Sequence, residues 1–261
     1  MKISISVFLA ALVCIALFPQ SVEAQKTLYG KPVRLNSLAD LDLLDANDLA
    51  APQKTEVLLS WLAAERANPS PTVAGLGGGP IDTDYIQAQI TKALETKGDP
   101  LAVSWVANST SLRDPAIRDS MQLVLGSMGD KSQIPAIEKI LLNNKNPYLR
   151  AVAAEDLGLL GSISSLPTLR QACKDSFSLT FASEEHGGKM ATFYPVRQVA
   201  EETIRVVSTP SLLAQEKKRE QFFGSRLVES RKYALAHKLS PSHFVRIANR
   251  SRAPGKRAPG A

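Results

Sequence analysis

The sequence predicts an all-α protein, a short α-α superhelix of about four stacked helix pairs with one inserted loop and a basic C-terminal tail. Three observations carry this prediction. Asp114-Pro-Ala-Ile-Arg118 and Asn146-Pro-Tyr-Leu-Arg150 repeat each other 32 residues apart, and the same shift takes Leu125 to Leu157, Gly126 to Gly158, Gly129 to Gly161, Pro135 to Pro167 and Ile137 to Leu169. Within each copy the apolar residues recur at helical spacing, as in Ile117, Met121, Leu125 and Met128, so each helix has one face to bury and needs a neighbour to bury it. Each first helix opens on Asp or Asn followed by Pro and closes on Gly, the residue types that satisfy a helix start and a left-handed helix stop.

Taken in order, residues 1–24 have the build of a secretory signal: Lys2, an apolar stretch from Val7 to Phe18, then Pro19 and a polar segment ending Val22-Glu-Ala24. Cleavage after Ala24 and an exported product, periplasmic or extracellular, are expected. The stretch has 12 residues, short of the roughly 20 that span a bilayer as a helix. Residues 25–81 read as an N-terminal cap and a Pro/Gly-rich loop. Leu38–Asp45 contains a short helix, Pro52 opens a longer one with Val57, Leu58, Trp61 and Leu62 at helical spacing, and residues 69–80 hold too much Gly and Pro for regular structure.

The repeats occupy residues 82–215. Ile86, Ile90, Ala93 and Leu94, closed by Gly98-Asp99-Pro100, pair with a helix over Leu101–Asn108 and fall on the first clear copy when shifted by 31. That copy pairs a helix from Asp114 to Gly129 with one carrying Ile134, Ile137, Ile140 and Leu141. The next does the same with Leu149, Ala153, Leu157 and Leu160, then Leu166, Leu169 and Cys173. Cys173 takes the place of Leu141 and reads as a small buried hydrophobe, without a disulfide partner in the mature chain. A third first helix runs from Pro195 to Val207, displaced by an insertion at 175–194. Insertions leave a solenoid as loops on one face, often the binding face. Phe177, Phe181, His186, Phe193 and Tyr194 lie there, either as a partner-binding surface or as a hairpin packed on the repeats.

Residues 216–249 read as a charged helical cap with Leu212, Leu213, Phe222, Phe223, Leu227 and Tyr233 turned inward, and residues 250–261 as a disordered basic tail. From residue 216 on there are 12 Lys or Arg against 3 Glu, a net +9 in a chain of net +6, so the preceding residues sum to −3. Arg250, Arg252, Lys256 and Arg257 could therefore dock an anionic surface, or merely keep the chain soluble.

The sequence Asp/Asn-Pro-x-Ile/Leu-Arg, then Leu-Gly-x-x-Gly, then a Pro-containing second helix resembles the HEAT-like repeats first described in phycobilisome lyases, most closely over residues 114–173. That resemblance implies a solenoid. The class includes lyases, metal-dependent hydroxylases, nucleic-acid enzymes and adaptors, so it does not specify an activity. A di-iron hydroxylase of this class, resembling the deoxyhypusine-modifying enzyme, implies several His-Glu pairs facing one concavity. This chain has three histidines, none followed by Glu, and only His186 beside Glu184-Glu185 forms a cluster. No metal and no cofactor are expected. Gly75-Leu-Gly-Gly-Gly79 lacks the flanking strand and the Gly-Lys-Ser/Thr ending of a phosphate cradle.

Arg118, Arg150 and Arg197 recur on the first helices, either as a basic ladder for an acidic partner or as stems packed along the neighbouring repeat and paired with a nearby carboxylate such as Asp119 or Glu155. No Ser-His-Asp, Cys-His or paired-carboxylate grouping stands out. The expected function is thus a non-catalytic exported module or scaffold that binds another protein through its concave face and the 175–194 insertion. The second reading is a charge-driven binder of an anionic polymer, membrane surface or nucleic acid through the basic C-terminal region.

Overall fold

The computed structural model describes residues 27–29, 31–32, 35, 38–42, 44–45, 49–68, 73–74, 80–183, 189–209 and 213–251. The secretory signal expected over residues 1–24, His186, and Arg252, Lys256 and Arg257 lie outside these residues. Eleven α-helices dominate the described residues: α1 (Ala39–Asp42), α2 (Ala51–Ala67), α3 (Thr83–Lys97), α4 (Pro100–Ala107), α5 (Pro115–Met128), α6 (Ile134–Asn143), α7 (Pro147–Leu159), α8 (Leu166–Ala172), α9 (Pro195–Val207), α10 (Leu213–Ala236) and α11 (Pro241–Ala248). Strands are confined to three two-stranded antiparallel pairs, β1 (Thr27–Leu28) with β2 (Lys31–Pro32), β3 (Val73–Ala74) with β4 (Pro80–Ile81), and β5 (Leu179–Ser183) with β6 (Lys189–Phe193). The architecture is an all-α superhelical solenoid, as the sequence predicts. No helix among the described residues is long and apolar enough to cross a membrane.

One layer consists of α2, α3, α5, α7 and α9, each packed on the next, and the other of α4, α6 and α8. Local chemistry sets the layer's spacing. The Asp114 carboxylate accepts from the Ala116 N–H at 2.9 Å, and Asn146 Oδ1 accepts from Tyr148 and Leu149 N–H at 2.9 and 3.1 Å, so both helices start where the repeat places a short polar side chain before Pro. Gly129 and Gly161 close the helices at φ 111° and 62°. In each case the next two amides turn back onto the last turn: Gly129 and Asp130 donate to Gly126 and Leu125, and Gly161 and Ser162 to Gly158 and Leu157. The first glycine of each Leu-Gly-x-x-Gly serves close approach instead. A Cβ on Gly126 would lie 2.3 Å from Ile137 Cδ1 of α6, and one on Gly158 would lie 3.0 Å from Thr203 Cγ2 of α9.

Two apolar clusters form the core. One joins α2, α3, α4 and α5 to the residues before α2, and the other joins α6, α7, α8 and α9 with Leu123 of α5 and Ala88 of α3. Cys173 packs half-buried against the second, and burial raises its thiol pKa, with the Glu201 charge adding to the rise.

The C-terminal segment departs from the expected terminal cap. Instead of covering the last repeat, α10 packs on α4 and α5, and α11 packs on α2 and α4. Phe244 is fully buried in the first cluster beside Trp105, with ring centroids 5.9 Å apart. Arg226 Nη2 donates to the Gly98 carbonyl at the C-terminal end of α3. Phe223 packs on the core, but Phe222, expected inward, is 60 % exposed. The physical reason is that α10 meets the repeats along a narrow seam, so adjacent residues on it cannot both face inward. The Gly/Pro segment also differs from expectation, since Val73–Ala74 and Pro80–Ile81 pair as short strands.

Candidate functional site at the aromatic edge of the first-helix layer

The N-terminal ends of α3, α5 and α7 are tied by a thread of buried polar groups. Asn146 Nδ2 donates to the Asp84 carbonyl at 2.9 Å, and Gln87 Nε2 donates to Ser120 Oγ at 3.3 Å. Unpaired, such groups would each cost about 1–3 kcal/mol, so the contacts fix the relative height of the three helices. That register brings Tyr85 of α3 beside Tyr148 of α7, centroids 5.2 Å apart and planes at 76°. Phe177, just before the inserted hairpin, meets Tyr148 as well, at 5.4 Å and 74°. All three rings are half-buried. Edge-to-face pairs of this kind contribute about 0.5–1.5 kcal/mol each beyond the area they bury.

Two carboxylates border the rings. Asp82 is exposed and caps α3 by accepting from the Asp84 N–H at 3.2 Å. Burial raises the pKa of Asp84, the Asp82 charge raises it further, and Arg66 opposes both. Burial likewise raises Tyr148, with Asp82, Tyr85 and Asp84 adding to the rise. The edge is therefore aromatic and of negative sign, since Arg66 is already engaged with Asp114 at 3.1 Å.

Asp175 anchors the insertion to this edge. Arg150 grips its carboxylate with two hydrogen bonds, from Nε at 2.7 Å and Nη2 at 3.0 Å, and the Phe177 N–H donates to it at 2.9 Å. Burial pushes the Asp175 carboxyl up. The Arg150 and Phe177 hydrogen bonds, with the charges of Arg150 and Arg197, outweigh burial and hold it below its ordinary value. Arg197 Nε donates to the Asp175 carbonyl, and its guanidinium lies 4.3 Å over the Tyr194 ring.

The arginines expected either as a basic ladder or as packed, paired stems are drawn into the protein. Arg118 Nη2 donates to the Ser109 and Leu112 carbonyls at 2.8 and 3.3 Å, and Arg150 Nη1 donates to those of Asn144 and Lys145 at 2.8 and 3.3 Å. Each closes the loop that precedes its own helix. The carboxylate found by Arg150 is Asp175, whereas Glu155 pairs with Lys92 at 2.8 Å and Asp119 accepts from Asn144 at 2.7 Å.

Of the predicted site residues, Phe177, Arg150, Arg197 and Tyr194 gather around Asp175, and Arg118 stands apart. Phe193 is half-buried at the end of β6, and Phe181 holds a backbone position in β5 opposite Ala191. Sequence reasoning missed Tyr85, Tyr148, Asp82, Asp84 and Asp175. Only Tyr148 carried a signal, an aromatic residue inside the repeated Asn-Pro-x-Leu-Arg motif.

The two described histidines, His237 and His243, have separate partners. His243 Nε2 lies 3.1 Å from Glu56, and His237 stacks on Tyr233 with centroids 3.9 Å apart. Among the described residues no group of three or more His, Cys, Asp or Glu is placed to hold a metal ion.

The chain is similar to deoxyhypusine hydroxylase. The zebrafish (Danio rerio) protein is 30 % identical to it over 83 residues, which are 31 % of this chain and 27 % of the relative, so the chain matches about a quarter of the length of that curated protein. No family model matches, and no solved structure matches significantly. The relative is an enzyme, which corrects both the expectation of a non-catalytic scaffold and the expectation that this chain is not an enzyme. That expectation rested on finding no catalytic grouping along the sequence, and groups that meet only after folding leave no such trace.

Proposed function

We propose that this HEAT-like repeat protein recognises a cationic, amine-bearing side chain of another protein at the Tyr85, Tyr148 and Phe177 edge. The observation that carries the reading is the run of three edge-to-face rings bordered by Asp82 and Asp84. An ammonium group within about 6 Å of an aromatic centroid gains about 0.5–2 kcal/mol, and an adjacent carboxylate adds a charge-assisted hydrogen bond. The net −3 of the residues before 216 supports the same sign of partner. The similarity to deoxyhypusine hydroxylase supports a protein-borne amine as the target and a reaction at the captured residue.

A fluorescein-labelled lysine-rich peptide, followed by anisotropy at low salt, tests recognition, and intact mass of the peptide after incubation reads any modification. Tyr148→Leu and Asp84→Asn should each weaken binding about three- to tenfold, while Tyr148→Phe, which keeps the ring face, should bind like wild type. Equal binding by wild type and Tyr148→Leu would overturn the reading.

A further inference from the structure

A second site lies away from the aromatic edge, where the loop between α4 and α5 faces the outer side of α11. Asn249, in the turn after α11, clamps the two together. Its Oδ1 accepts from the Arg113 N–H at 2.9 Å and its Nδ2 donates to the Ser111 carbonyl at 3.0 Å. Between them is an open cleft of about 470 Å³ whose lining includes Ser111, Arg113, Ser242, Arg246 and Arg250, with no acidic residue in it. All three arginines are exposed, and none is in an ion pair among the described residues. Elsewhere Arg66, Arg150 and Arg205 each hold a carboxylate, and Arg118, Arg197 and Arg226 hold backbone carbonyls.

The like charges cannot separate by moving the backbone. Phe244, Ile247 and Ala248 bury the other side of α11 in the first core cluster, Val245 belongs both to that cluster and to the cleft lining, and Asn249 holds the facing loop. We infer that the cleft binds a small phosphorylated molecule, its phosphate held by Arg113, Arg246 and Arg250. A planar guanidinium fork matches phosphate oxygens in pairs, and the serine hydroxyls add short donors. The cleft is open to solvent and its volume exceeds that of a bare phosphate. Three arginines lining one concavity suit one multiply charged group better than a polymer backbone, which is tracked by a stripe of charge.

Calorimetric titration of the full chain with pyrophosphate at physiological ionic strength is the test. Saturable one-to-one binding is expected. It should weaken about tenfold or more in Arg246→Gln and Arg113→Gln, less in Arg246→Lys, and not at all in Arg231→Gln on the exposed side of α10 or in Tyr148→Leu at the aromatic edge. Unchanged helical circular dichroism keeps misfolding out of the comparison. No saturable binding, or equal weakening by Arg231→Gln, overturns the inference. So does binding of anionic vesicles or duplex DNA that depends on Arg113 and Arg246 while pyrophosphate is ignored. The tyrosine-edge reading stands or falls separately, because the two sites share no residue.

Discussion

Breaking the Arg150 and Asp175 pair should destabilise the protein by about 3 kcal/mol. Both side chains are largely withdrawn from solvent, at 15 % and 13 % exposure, and they meet in a two-point contact with Nε to Oδ2 at 2.7 Å. Removing one partner of such a pair costs about 3–5 kcal/mol, chiefly because the other charge stays buried and unpaired. The low end applies here, since Asp175 keeps the Phe177 N–H and Arg150 keeps two carbonyls. At about 2–4 °C per kcal/mol for a domain of this size, Arg150→Met should lower Tm by about 6–12 °C.

Urea unfolding of wild type, Arg150→Met, Asp175→Asn and the double variant yields the coupling, expected near 2 kcal/mol. The pH dependence follows from the lowered Asp175 pKa. A group depressed on folding contributes stability that is present above its unfolded pKa, about 3.9, and is lost as pH falls through the folded value. The gap between wild type and Asp175→Asn should therefore be constant from neutral pH to about 5 and shrink below about 4. A coupling under about 0.5 kcal/mol, or a gap that widens in acid, would refute the clamp.

Two further outcomes follow from the packing. Phe244→Ala, at a fully buried position on α11, should cost about 3–5 kcal/mol, and hydrogen exchange should quicken in α2 and α4 more than in α8 and α9. Uniform quickening would mean that α11 does not close the first core cluster. Gly129→Ala should lose about 1 kcal/mol in urea unfolding because φ 111° strains any side chain. A neutral result would show that the helix end relaxes out of its left-handed turn.

The repeated first-helix starts and stops were legible because they are local. Asp114, Asn146, Gly129 and Gly161 act on amides within a few residues of themselves, and the apolar stripes need only helical periodicity. The candidate site was legible only at Phe177, Tyr194 and the arginines, since an aromatic-rich insertion and a recurring Arg show in one dimension. Their roles did not show. The same Arg that could line a groove instead closes its own loop, and that choice depends on where the preceding carbonyls point.

What the sequence by itself determined is the all-α repeat architecture, because period, caps and apolar stripes act through neighbours along the chain. Only the tertiary structure decided that α11 returns to α2 and α4, that Asp175 receives Arg150, that Tyr85, Tyr148 and Phe177 form one edge, and that Arg113, Arg246 and Arg250 line one cleft. Each of these joins residues distant in the chain, whose meeting depends on how the stacked helices pack, a property no local spacing encodes.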